Sequence, residues 1–132
     1  MELTNEFFQK FVGWQAQILY ALESAFFQGE IKSIELRSGD GVSDELHIQF
    51  NWCAWRQDDD PWVKAEEPRG KGRVVPIEYY YVELHEPRPH DYGPDCFTIG
   101  IPGCEQIVTF YAKGQMNWIN PQTLSWLEKV SE

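Results

Sequence analysis

Five carboxylates, Asp58, Asp59, Asp60, Glu66 and Glu67, crowd the segment QDDDPWVKAEEPRGKGR over 57–73, ahead of Arg69, Lys71 and Arg73. Oxygen ligands in such a run suit a hard cation, since Ca²⁺ takes about six to eight oxygens and Mg²⁺ about one or two carboxylates plus water. The order is wrong for it. There is no DxDxDG with a glutamate at the twelfth position, and three adjacent aspartates cannot all turn toward one ion on an ordinary backbone. As a solvated loop, its acidic and basic limbs attract one another by only about 0–1 kcal/mol. Trp62, set between Pro61 and charge, either anchors the loop or stands out as an aromatic contact.

A second segment, HEPRPHDYGPD over 85–95, holds His85, His90, Asp91 and Asp95, with Cys96 next to it. Zinc takes such a donor set, and a thiol beside a histidine base is the start of nucleophilic catalysis. The spacing fits neither. His85 and His90 are five apart rather than one helical turn, and Pro87 and Pro89 between them forbid helix. With Pro94 as a third stiffener, the segment is better suited to hold Tyr92 rigidly toward a partner, which lowers the entropy lost on binding. A small enzyme or metalloprotein built on His85, His90 and Cys96 stays as an alternative.

The face His47, Gln49, Asn51, Cys53 and Trp55 of a strand over 46–55 offers uncharged hydrogen-bonding groups, a floor for a ligand or for another chain. His47 does not reach Cys53, because six residues of strand separate them by about 20 Å. Glu78 and Glu83, five apart, fall on opposite faces of an ideal strand and so do not form a carboxylate pair. No GxSxG, HExxH, GxxxxGKS/T or GxGxxG occurs. The expectation is a protein without catalytic residues, metal ligands or cofactor.

These residues sit in a chain of 132 amino acids, 42% hydrophobic and 24% charged, the size of a single domain spanning 1–132. Its 21 Asp and Glu against 11 Lys and Arg leave a net charge of −10 and a pI near 4.7. That field repels phosphate backbones and anionic lipid, which excludes nucleic acid and membrane, and it attracts a basic protein or a cationic small molecule. Three cysteines without a CxxC, an acidic start and no apolar run near the ~18 residues that span a bilayer point to the cytoplasm. Phe, Trp and Tyr make up 15% of the chain, with six Trp, more than the periodicity below can place inside.

Residues 5–28 carry Phe8, Phe11, Ile18, Leu22 and Phe26 at helical spacing within an arc of about 80°, with Thr4 or Asn5 as cap and Gly29 as stop. Phe7, Leu19 and Ala25 widen the stripe, and Gln15 lies inside it. Tyr20 and Phe27 lie opposite, either under a second helix or in a homodimer contact. Period two then takes over, with Ile34 and Leu36 in 31–38, a turn at Gly39-Asp40-Gly41, and Leu46, Ile48, Phe50, Trp52 and Ala54 on one face of the next strand. VVPIEYYYVELH over 74–85 is β-rich, but Tyr79, Tyr80 and Tyr81 hide its phase. CFTIGI at 96–101 and QIVTFYA at 106–112 read as a hairpin through a type II turn at Pro102-Gly103. Asn120-Pro121 then starts a short terminal helix with Leu124, Trp126 and Leu127 inward.

The expected fold is α+β, with a long N-terminal helix, a five-stranded, mostly antiparallel meander sheet and a short C-terminal helix. The expected function is non-catalytic: an acidic, aromatic-rich, inhibitor-like protein that engages a basic partner through Trp62, Asp58, Asp59, Asp60 and Tyr92. The alternative is a carrier or sensor of a cationic or aromatic small molecule, its pocket between sheet and helix lined by Gln15, Trp52, Tyr79 or Tyr81, and Phe110.

Overall fold

Helix begins where the sequence places it and stops far sooner. The computed structural model describes residues 2–38, 43–124 and 126. In it α1 (Asn5–Phe8) is capped by the Thr4 hydroxyl, which accepts from the Phe7 N–H at 3.1 Å, and runs into a 3-10 turn, Gln9–Phe11. Gly13, at φ +89°, then turns the chain into extended structure. Beyond it, β1 (Gln15–Tyr20) and β2 (Ala25–Arg37) form a hairpin, so the long helix and the α+β assignment are overturned. The described chain is mostly antiparallel sheet, with ten strands.

The stretch 15–31 carries both periods at once. Ala16, Ile18 and Tyr20 alternate with Gln15, Gln17 and Leu19, and Phe27, Gly29 and Ile31 with Phe26, Gln28 and Glu30. A helix would have to hold Gly13 inside it at a cost of about 1 kcal/mol. Sheet pairing avoids that and covers both faces, an advantage that comes from distant segments and leaves no local mark.

β3 (Glu45–Gln57) pairs with β2 along its length. Its other edge carries β4 (Val63–Lys64) at one end and β7 (Tyr79–Glu83) at the other. Between these, β5 (Glu66–Pro68) and β6 (Val74–Pro76) form a separate two-stranded arm. On the far side of β1 come β10 (Gln106–Tyr111), β9 (Cys96–Ile101) and β8 (Arg88–Asp91). The five-strand meander is thereby corrected to an eight-stranded sheet, because β1 lies in the segment expected to be helix and each long connection adds a strand, β4 and β8. The 74–85 run splits in two, with Tyr80, Val82 and Leu84 buried and Tyr79, Tyr81 and Glu83 outward.

The expected β9–β10 hairpin is present, closed by a 3-10 turn, Pro102–Cys104, with Glu105 at φ +54°, and not by a type II turn. Among the described residues the C-terminal helix is absent. Asn120 caps only a single 3-10 turn, Pro121–Thr123, accepting from the Gln122 N–H at 3.0 Å. Leu127 and the Gly39-Asp40-Gly41 turn lie outside the described residues.

The sheet curls around one apolar face. Tyr80 on β7 donates to Gln106 Oε1 on β10 at 2.6 Å, although β3, β2 and β1 stand between those strands in the sheet. The N-terminal helical turns plug the concavity. Phe11 stacks on Phe110 at 4.2 Å between ring centroids and 8° between planes, and Phe97 and Trp14 flank it.

A double irregularity between β2 and β3 governs which residues reach the outer, convex face. Glu30 pairs with Trp52 and Ile31 with Phe50, leaving Asn51 as an extra residue, and Lys32 is skipped in turn on β2. One added residue reverses the alternation. Leu46, Ile48 and Phe50 face inward, whereas Trp52 and Ala54, expected on the same face, are buried against the outer side, and Cys53 and Trp55 turn in. Gly29 makes the bulge possible: a Cβ there would press on the Trp52 carbonyl and come within 2.8 Å of the Phe50 ring. Gly29→Ala is therefore expected to cost about 2 kcal/mol in urea denaturation through overpacking. A change below about 0.5 kcal/mol would show that the bulge has room to relax.

Candidate functional site

The aspartates of 58–60 do not stand alone. Asp58 N–H donates to the Ser24 carbonyl at 2.8 Å, and Ala21 N–H to the Glu105 carbonyl at 3.0 Å. These bonds line up three turns: β1–β2, β3–β4 and β9–β10. Along that rim stand Glu23, Asp58, Asp59, Asp60 and Glu105, all exposed, and residues 21–24, 57–62 and 102–105 contain no Lys or Arg. Leu22, expected in the core of a helix, is instead 83% exposed at its centre. Asp58, at φ +52°, holds the left-handed conformation that Asp and Asn tolerate best among side-chain-bearing residues.

Trp62 is half-buried at the edge of this rim, with the Arg56 guanidinium 4.8 Å from its ring centroid and 5.1 Å from that of Phe26. The arginine braces the indole, so Trp62 is both loop anchor and aromatic surface. Tyr92, expected to act with it, follows β8 at the opposite end of the strand order from β4, 65% exposed and packed on His90 at 4.2 Å.

A second constellation lies on the outer face of β2, β3 and β7. Cross-strand pairing sets three rows, Ser33, Gln49 and Tyr79; Glu35, His47 and Tyr81; Arg37, Glu45 and Glu83. At the centre His47 is nearly buried. Its Nε2 meets Glu45 Oε1 at 3.0 Å, its Nδ1 meets the Tyr79 hydroxyl, and Tyr81 donates to Glu45 Oε2 at 3.2 Å. The hydrogen bond from His47, reinforced by that from Tyr81, holds the Glu45 carboxyl below its ordinary range. Desolvation, with Glu45 beside it, pushes the Tyr81 phenol up. Both ring nitrogens of His47 are engaged by neighbours, so the cluster braces β3 against β7 and leaves no free base. The spacing of Glu45 and His47, two apart on a strand, was the signal for it.

The residues expected to line one pocket are divided between faces. Gln15, Trp52, Tyr79 and Tyr81 belong to the outer face, Phe110 to the core, and among the described residues no long helix lies across the sheet to enclose them. Tyr20, half-buried, packs on Trp55 and Phe27 is buried against Phe50, so the two do not share the outer face of a helix. Gln15 and Gln28 are both buried beneath the segment that follows β10. Gln15 donates to the Ile119 carbonyl at 2.6 Å and accepts from the Ile119 N–H at 2.8 Å, while Gln28 donates to Gln15 Oε1 at 2.6 Å and to the Asn117 carbonyl at 2.9 Å.

His85, His90 and Cys96 are not brought together as a site. His85 is exposed beside Ser43, 3.2 Å away, and His90 packs on Tyr92. Burial raises the thiol pKa of Cys53, Cys96 and Cys104, which opposes the thiolate a nucleophile needs. Among the described residues no three of His, Cys, Asp and Glu are placed to hold a metal ion, and no helix is long and apolar enough to cross a membrane.

No family model, curated protein or solved structure matches the chain.

Proposed function

We propose that this is a non-catalytic binding protein that engages a basic protein through its acidic rim. The observation that carries the reading is the alignment of three turns, which surrounds exposed Leu22 with Glu23, Asp58, Asp59, Asp60 and Glu105 and places braced Trp62 at the edge. Carboxylates at the border of an apolar contact steer a cationic partner during encounter, and the apolar and aromatic groups slow its departure. The net charge of −10 extends that attraction beyond the rim.

An oligo-arginine peptide bearing one leucine serves as probe, with backbone amide shifts as the readout. Perturbations are expected over 21–24, 57–62 and 102–105. The triple variant D58N/D59N/D60N is expected to slow association by about tenfold at low salt. Its melting temperature stays that of the parent, because asparagine accepts the left-handed backbone at position 58. W62A is expected to speed dissociation instead. Shifts centred elsewhere, or a triple variant that associates like the parent, would remove the reading.

A further inference from the structure

β7 has a neighbour on one edge only. Phe50 N–H donates to the Glu78 carbonyl at 2.9 Å and Leu84 N–H to the Asp44 carbonyl at 2.8 Å, with Ile48–Tyr80 and Leu46–Val82 in register between them. Bonded and non-bonded residues alternate along an antiparallel pair, so Tyr79, Tyr81 and Glu83 point their backbone N–H and C=O groups away from β3. The Glu83 carbonyl is taken by the His85 N–H at 3.0 Å, and among the described residues no strand pairs with the rest of this edge. Sheet proteins usually blunt such edges. β8, at the far end of the sheet, carries Pro89 between charges, and β4 is two residues long. β7 reads YYYVE, without proline, glycine or lysine, and its tyrosines are tied to β3 through His47 and Glu45.

The open edge lies beside the acidic rim. Tyr80 reaches Gln106 at the start of β10, and a Cβ on Gly103 would stand 3.8 Å from the His85 ring, so β7 runs next to the β9–β10 turn with β3 on its other side. We propose that the basic partner docks here as an extended strand, antiparallel to β7 and alternating arginine or lysine with aliphatic residues. This mode of docking rests on the rim as the partner's site, as read above, and supplies main-chain hydrogen bonds beside it. Residues opposite Tyr79, Tyr81 and Glu83 bond through their backbone and place their side chains on the outer face. There a guanidinium meets the Glu83 carboxylate and the ring faces of Tyr79 and Tyr81, 46% and 43% exposed. The intervening aliphatic residues turn toward the rim, where Leu22 stands among Glu23 and Glu105. A second copy of this chain fits worse, since it sets one net charge of −10 against another.

The test titrates the full chain with the acetylated and amidated peptide Arg-Val-Arg-Leu-Arg-Val-Arg. Exchange of the Tyr79, Tyr81 and Glu83 amides is expected to slow by about tenfold or more at saturation, with Tyr80 and Val82, already bonded to β3, unchanged. Two further peptides carry N-methyl groups, one on its two inner arginines and the other on its two valines, so that charge and composition match. The arginine-methylated peptide is expected to bind about tenfold more weakly or worse, and the valine-methylated one as the parent peptide does. Equal binding of the two, or a loss confined to the valine-methylated peptide, would overturn the proposal. Amide shifts over 21–24, 57–62 and 102–105 without slowed exchange on β7 would overturn the strand and leave the rim standing, whereas no shift anywhere removes both. Slow exchange of the three amides in the free chain that grows with its own concentration would assign the edge to a second copy, and so overturn the proposal too.

Discussion

Phe11→Ala is expected to lower stability by about 4 kcal/mol and the melting temperature by about 15 °C, a far larger loss than a residue in a one-turn 3-10 segment would ordinarily bring. The ring is fully buried, stacked on Phe110 at 4.2 Å and on Phe97 at 5.7 Å, with Phe7 and Trp14 edge-on. Its removal takes away transfer energy, leaves a cavity among four aromatic rings, and ends aromatic pairs worth about 0.5–1.5 kcal/mol each beyond their area. Relaxation is limited on one side, because Phe97 and Phe110 are fixed by strand pairing with each other. The helical turns are held less firmly, by Gln9 Nε2 to the Ile34 carbonyl at 2.7 Å and by Leu36 N–H to Asn5 Oδ1 at 3.0 Å. Leu22→Ala is the matched control. In one continuous helix over 5–28 the two positions would share the buried stripe, whereas here Leu22 projects from the rim and its truncation is expected to change stability by less than about 0.5 kcal/mol. Urea denaturation of the two variants separates these cases, and equal losses would contradict the sheet arrangement of 15–31.

The contrast between Phe11 and Leu22 also shows what could be read from the residues alone. β3 and the β9–β10 hairpin were legible because alternation and a Pro-Gly turn are local signals. The β1–β2 hairpin was not, since Gln15 through Phe27 satisfies a helical stripe and a strand alternation equally, and only pairing with β10 and β3 decides between them. The reversal at Asn51 was equally hidden: His47 to Trp55 alternates without a break in sequence, and the extra residue exists only relative to the partner strand. Asp58, Asp59, Asp60 and Trp62 stood out by type, but Glu23 and Glu105 join them through bonds between distant turns. Gln15 did give a warning, a polar side chain within an apolar stripe, and it is the residue on which the outer face closes.

Gln15→Ala is accordingly expected to cost about 3 kcal/mol, next to Phe11→Ala in size and of a different kind. The wild-type side chain is fully buried and takes part in three hydrogen bonds of 2.6–2.8 Å, two to the backbone of Ile119 and one from Gln28. Truncation leaves the Ile119 N–H and carbonyl without their partner and deprives Gln28 of its acceptor on Gln15, although Gln28 keeps its bond to Asn117. Gln28 Oε1 is already unpartnered among the described residues, so the truncated pair keeps its unsatisfied oxygen and loses the satisfied one. Each stranded group costs about 1–3 kcal/mol if it stays buried. The segment 112–124 can avoid that cost by lifting from β1 and β2 into water, which exposes outer-face surface in exchange. The loss is thus expected to be partly local. Amide exchange at Ile119 should accelerate by more than about tenfold, while the amides of β9 and β10 slow or quicken only with global stability. Phe11→Ala, in contrast, should accelerate all of them together. If Ile119 keeps its protection in Gln15→Ala, the glutamine pair is not what fastens this segment to the sheet.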